Sequence, residues 1–294
     1  MSTTTNYYVP DQSPWPFATA ACLFVTAWGA ASTIQQHSGV VSNDGTLGTY
    51  ILIAGLVGIL SCMFLWFRDT VRESIGGLNS HQMDISYRMG MAWFIFSEVM
   101  FFCAFFFALF YTRWFAVPWL GGEGAKGIAQ EILWPNFQAM WPLVSMPDGR
   151  TVQAMQPWGL PAINTALLLT SGIFLTIAHH AIKTMNRPKI LLNLGITILL
   201  GSIFMCVQAY EYYHAYHEMG LTLNAGIYGS TFFMLTGFHG LHVTIGTIIL
   251  MVLWLRVAKG HFTADNHFAF EAGAWYWHFV DVVWIFLFIV VYWL

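Results

Sequence analysis

The chain has 294 residues, of which 57% are hydrophobic, 17% aromatic and only 9% charged, with a formal net charge of -3. A soluble protein carries about 25% charged residues, so this composition describes a polytopic membrane protein instead of one or two soluble domains. No basic face is present for nucleic acid.

Met1 to Pro16 reads as a polar, proline-containing leader without a basic n-region, so no cleaved signal peptide is expected. The first span is predicted at Phe17 to about Gln35. The second runs from Leu47 to Phe67, where Gly48, Gly55 and Gly58 allow close helix packing. The charged link RDTVRESIGGLNSH, Arg68 to His81, follows. The third span lies within Met83 to Trp114. A helix rises about 1.5 Å per residue, so roughly 20 apolar residues cross a hydrocarbon layer of about 30 Å. Glu98 then falls near the middle of the bilayer, where a charge costs at least several kcal/mol. It is either protonated or met by a partner from another helix. Arg88, about 15 Å away along the same helix, cannot be that partner. A neutral acid bonded between neighbouring helices is the plainer alternative.

Phe115 to Pro161 holds Trp119, Trp134, Trp141 and Trp158 among prolines and glycines, and reads as an ordered interfacial loop with room for a short surface helix. The fourth span is Ala162 to Ile182. The fifth is Ile190 to about Tyr210, followed by the polar run EYYHAYHEMG. The sixth is Tyr228 to Leu255, and the seventh Phe268 to Leu294. With seven spans, Arg68, Arg72, Arg88, Lys183, Arg187, Lys189, Arg256 and Lys259 share one side. Only Arg113, Lys126 and Arg150 take the other. The positive-inside rule makes the first side cytoplasmic, with the N-terminus there and the C-terminus external. Cys22, Cys62, Cys103 and Cys206 lie in separate apolar stretches without C-x-x-C spacing, and read as small buried hydrophobes.

GFHGLHV in the sixth span places His239 and His242 on one helix face. In the seventh, His278 and Asp281 share a face, with Glu271 about two turns earlier. Such groups suit haem or copper ligation or a proton relay. They also suit plain interhelical ties, which the lack of a repeated histidine pattern on facing helices favours. Arg256, Lys259 and His261, with Arg72 and His81, form a basic set at headgroup level that fits anionic phospholipid or simple snorkelling anchors. No phosphate loop, nucleophile elbow or dinucleotide fingerprint occurs.

Taken together, SPWP, RDTVRES, FSEVMFF around Glu98, AHH at Ala178 to His180, EYY at Glu211 to Tyr213, YGSTFF, GFHGLHV and FEAGAWYWHFVDVVW resemble subunit III of haem-copper cytochrome c oxidase over nearly the whole chain. Seven spans resemble the cytochrome c-oxidising type, and the long connection from about Gly121 to Gln156 resembles bacterial members. The resemblance implies an all-α fold of seven helices in a V, two splayed from five. Residues 1–82 would hold the first two spans and residues 83–294 the rest. It implies no haem, copper or catalytic residue in this chain, those groups lying in partner subunits I and II, with cytochrome c as donor to the complex. It implies phospholipid bound at Arg72, Glu73, His81, Arg256, Lys259 and His261. Glu98 would face that region, and His239, His242, Glu271, His278 and Asp281 would hold no metal. The implied role is support of proton uptake, protection of the catalytic subunit and a border to an oxygen route, in a bacterial inner membrane. The rivals are a stand-alone proton-coupled transporter using Glu98, His278 and Asp281, and a haem-binding membrane cytochrome.

Overall fold

The computed structural model describes residues 12–38 and 46–294. The first eleven residues of the leader and residues 39–45 lie outside the described residues. Every named element is helical: α1 Trp15–His37, α2 Leu47–Ile75, α3 His81–Tyr111, α4 Val117–Leu120, α5 Gly127–Leu133, α6 Leu160–Lys183, α7 Arg187–His217, α8 Gly226–Ala258 and α9 Phe268–Leu287. Among the described residues, seven helical stretches are long and apolar enough to cross a membrane, as the hydropathy pattern predicts.

The chain divides into two compact units, Met1–Tyr87 and Arg88–Leu294. In the first, α1 and α2 pack backbone to backbone. A Cβ at Gly29 would lie 2.3 Å from the Leu52 nitrogen, and one at Gly55 2.7 Å from the Thr26 nitrogen. Only hydrogen fits at these crossings, which is how small residues let membrane helices approach. At the end of the pair, Trp15 Nε1 donates to Asp69 Oδ2 at 3.0 Å.

In the second unit, α6 to α9 surround Trp277 and Trp284, both fully buried. Trp277 fills the space left by Gly201 on α7 and Gly246 on α8, and its Nε1 donates to Ser171 Oγ on α6 at 2.9 Å. Trp284 Nε1 donates to Thr165 Oγ1 at 2.9 Å. Each indole thus buries its ring and keeps its N–H bonded, as a large amphipathic side chain must in an apolar interior. From Arg88 onward, α3 meets α8 and α9 through large aromatic side chains. Phe94 stacks on Tyr276, Phe101 sits edge-on to Phe238, and Phe102 touches Phe279. Phe94, Glu98, Phe101 and Phe105 recur at helical spacing, so they form one stripe.

Several boundaries differ from expectation: the second helix does not stop at Phe67 but runs on to Ile75, through half of the expected charged link. The third span does not stop at Trp114: helix continues through a π-helical turn, Thr112–Ala116, into α4, making 40 residues from His81 to Leu120. Pro118 lacks the N–H that an α-helix needs and would clash one turn back, so the chain widens as it enters α4. The fifth helix runs on through the polar run to His217. The long connection therefore begins at Gly121, and it does contain a short helix, α5.

Candidate functional site: an intramembrane polar set

The structure gives Glu98 a partner from another helix. His242 Nε2 on α8 lies 2.9 Å from Glu98 Oε2, and His242 Nδ1 lies 2.6 Å from the carbonyl oxygen of Phe238. A carbonyl only accepts, so Nδ1 carries a proton. The contact between Nε2 and Oε2 then needs one further proton, on either atom. With it, imidazole and carboxyl together have no net charge; without it, two lone pairs would face each other in an apolar surrounding. Phe101, Phe102 and Tyr276 pack around the imidazole.

His239, one turn earlier, does something different. It is fully buried between Phe204 and Trp284, and its Nε2 donates to the Val280 carbonyl at 3.2 Å. It ties α8 to α9. His278 Nδ1 lies 3.4 Å from Asp281 Oδ2, and His278 Nε2 lies 3.4 Å from Thr176 Oγ1 on α6. Asp281 sits over Gly172, where a Cβ would come within 2.5 Å of its Oδ2. Among the described residues, no hydrogen bond or ion pair joins Glu98 to His278 or Asp281.

Glu271 belongs to a separate group nearer the membrane edge. Arg88 pairs with its Oε2, while His267 and His179 place their Nε2 atoms 3.2 Å and 3.8 Å from Oε1. Arg88 also lies over the Phe268 ring. This anchors the start of α9 against α3 and α6.

Of the residues implied as lipid ligands, Arg72 pairs with Asp69 at 3.7 Å. Glu73 is half-buried on α2, and His81, exposed, opens α3. Arg256 is buried, with its guanidinium over the Phe262 ring at 4.5 Å and its Nε unpartnered. Lys259 and His261 follow in the link to α9. Burial, then the charges of Arg256 and Lys259, push the His261 imidazole below its ordinary range. No group of three or more His, Cys, Asp or Glu that could hold a metal occurs among the described residues.

Sequence reasoning missed Glu211. It is fully buried on α7, facing the Tyr292 hydroxyl. A signal existed: Leu194, Thr197, Gly201, Phe204, Gln208 and Glu211 recur every three or four residues, all of them buried. Placing the end of the helix at Tyr210 hid it.

Seven helices among the described residues, long and apolar enough to cross a membrane and tied by polar contacts between them, define a multi-pass membrane protein of helical fold. The cytochrome c oxidase subunit III profile matches residues 5–294. Proteins described as cytochrome c oxidase subunit 3 are 41% identical in Hippopotamus amphibius over 98% of this chain and 96% of the relative. Identity is 39% in Prototheca wickerhamii, over 97% of this chain and 96% of the relative. The chain belongs to the cytochrome c oxidase subunit III family, and is thus a multi-pass membrane subunit of an oxidase complex.

Proposed function

We propose that the chain is an accessory subunit of a cytochrome c oxidase, carrying no redox centre, that stabilises the catalytic subunit and supports its proton uptake. Haem and copper belong to subunits I and II in this reading, and cytochrome c is the donor to the complex. The observation that carries it is the Glu98–His242 pair. A carboxyl and an imidazole that share one proton can release or receive it with little rearrangement, which is what a group at the edge of a proton-uptake path needs. Phospholipid held by Arg72, Glu73, His81, Arg256, Lys259 and His261 supplies an apolar medium beside the catalytic subunit, bordering an oxygen route. The eight Lys and Arg on one set of links against three on the other support a cytoplasmic N-terminus and an external C-terminus. The long external loop favours a bacterial inner membrane.

The test is Glu98→Gln in the assembled oxidase. A glutamine keeps a hydrogen bond to His242 but holds no transferable proton. The expected result is normal assembly and haem content, with turnover that becomes limited by proton uptake as the pH rises. Turnover and pumping identical to the parent at every pH would overturn the proton role.

A further inference from the structure

On the face of the second unit, an open groove of about 580 Å³ runs between α7 and α8, lined by Leu192, Gly195, Leu199, Met251, Trp254 and Leu255. Its volume falls within the roughly 300–1,000 Å³ of ligand pockets, but its walls are almost wholly apolar. The single polar group in the wall is already bonded: Trp254 Nε1 donates to the Leu191 carbonyl at 3.0 Å. From Leu191 to Leu199 the groove extends about 12 Å along α7, less than half of a hydrocarbon layer of about 30 Å. A transmembrane helix of a partner would need a track through the full thickness. A chain confined to one leaflet would not.

Cations stand at the mouth of the groove. Arg187 and Lys189 begin α7 directly before its wall, and Lys259 follows the end of α8. All three are exposed. Arg187 is set in place over Gly260, where a Cβ would come within 2.9 Å of its guanidinium. Among the described residues, none of the three has a carboxylate within ion-pair distance, whereas Arg68, Arg72, Arg88 and Arg150 all do. An apolar slot one leaflet deep, ending in unpaired cations at headgroup level, has the polarity of a phospholipid.

We infer that this groove binds one anionic phospholipid of the bilayer, an acyl chain lying between α7 and α8 and the phosphate meeting Arg187, Lys189 and Lys259. The site shares its ligand class with the lipid reading above but, Lys259 apart, none of its residues. The two can therefore fail separately.

The experiment uses the whole oxidase in membranes with phosphatidylglycerol carrying a diazirine on its acyl chain, followed by peptide mapping. Labelling is expected on Leu191–Leu199 and Met251–Leu255. Arg187→Ala and Lys189→Ala should each reduce it roughly fivefold, as for one cation at a membrane surface. Gly195→Leu should abolish it, because a Cβ there meets only Trp254 Nε1 at 3.6 Å and the added side chain occupies the slot. Arg150→Ala, in the loop before α6 and already paired with Asp148, should leave it unchanged. Unlabelled helices in the parent, a phosphatidylcholine probe labelling equally well, or cross-links to a partner-subunit helix would each overturn the proposal. If Gly195→Leu does not assemble, the two cation variants, which leave the walls intact, decide it.

Discussion

Asp148, in the loop between α5 and α6, accepts from the Arg150 amide at 3.1 Å and from Arg150 Nε at 2.7 Å. These bonds, the backbone one first, hold its carboxyl below the usual carboxylate range. A depressed folded value means that the carboxylate supports the turn above about pH 4 and loses that role as pH falls through the depressed value. Asp148→Ala is expected to loosen the turn closed by Met146 and Gly149. Trypsin should then cut after Arg150 severalfold faster at neutral pH, an effect of local opening and not of global stability. Single residues were the least legible part of the sequence. For Glu98 the sequence leaves open a protonated acid or a partner from another helix, and nothing in the spacing of GFHGLHV says that His242, and not His239, supplies that partner. Both histidines sit on the same helical span, and only the angle at which α3 and α9 approach α8 separates them. Glu271, grouped by sequence with His278 and Asp281, joins Arg88 instead, because ten residues of helix carry it about 15 Å from Asp281.

At the scale of elements, the glycine pattern was readable before the partner was known. Gly48, Gly55 and Gly58 predicted a close approach for α2, and α1 makes it, with Gly29 contributing from its own side. Gly29→Ala should force the two backbones apart, at a cost of about 1–3 kcal/mol. Thermal unfolding of the purified oxidase should shift down by several degrees for the transition that releases this subunit. Gly90→Ala, with nothing within 4 Å of its Cβ, serves as the control and should not lower it. Tyr111, Arg113 and Trp114 look like the interface end of the third span, yet the helix continues past them. Pro118 looks like a stop, but a proline in the first turn of α4, entered through a wider π-helical turn, leaves no carbonyl in conflict. Aromatic side chains at Tyr111, Phe115 and Trp119 then pack along the continuing helix.

For the whole molecule, seven crossings were legible because hydropathy over a long window reports burial in lipid directly, whatever the helices touch. The three crossings between the loop after the third span and the loop before the seventh have a consequence that can be measured. Glu123, in the loop after the third span, and Asp265, between the sixth and seventh, are both exposed and must face opposite sides. With the native cysteines replaced, Glu123→Cys should react with a membrane-impermeant maleimide only from outside, and Asp265→Cys only in inverted vesicles. Reaction of both from one side would break the seven-span arrangement.

The single proton between Glu98 and His242 also fixes how that pair responds to an energised membrane. Shifting a unit charge across the full thickness changes its energy by about 2.3 kcal/mol per 100 mV. A hop bounded by the 2.9 Å contact covers about a tenth of a hydrocarbon layer of about 30 Å, and so feels at most about 0.2 kcal/mol per 100 mV. That is below thermal energy, so respiratory voltage leaves the balance between the two resting places of the proton almost unchanged. Any bias must come from chemistry next to the pair, which makes this carboxyl an instrument that reads its neighbours and is nearly deaf to the potential.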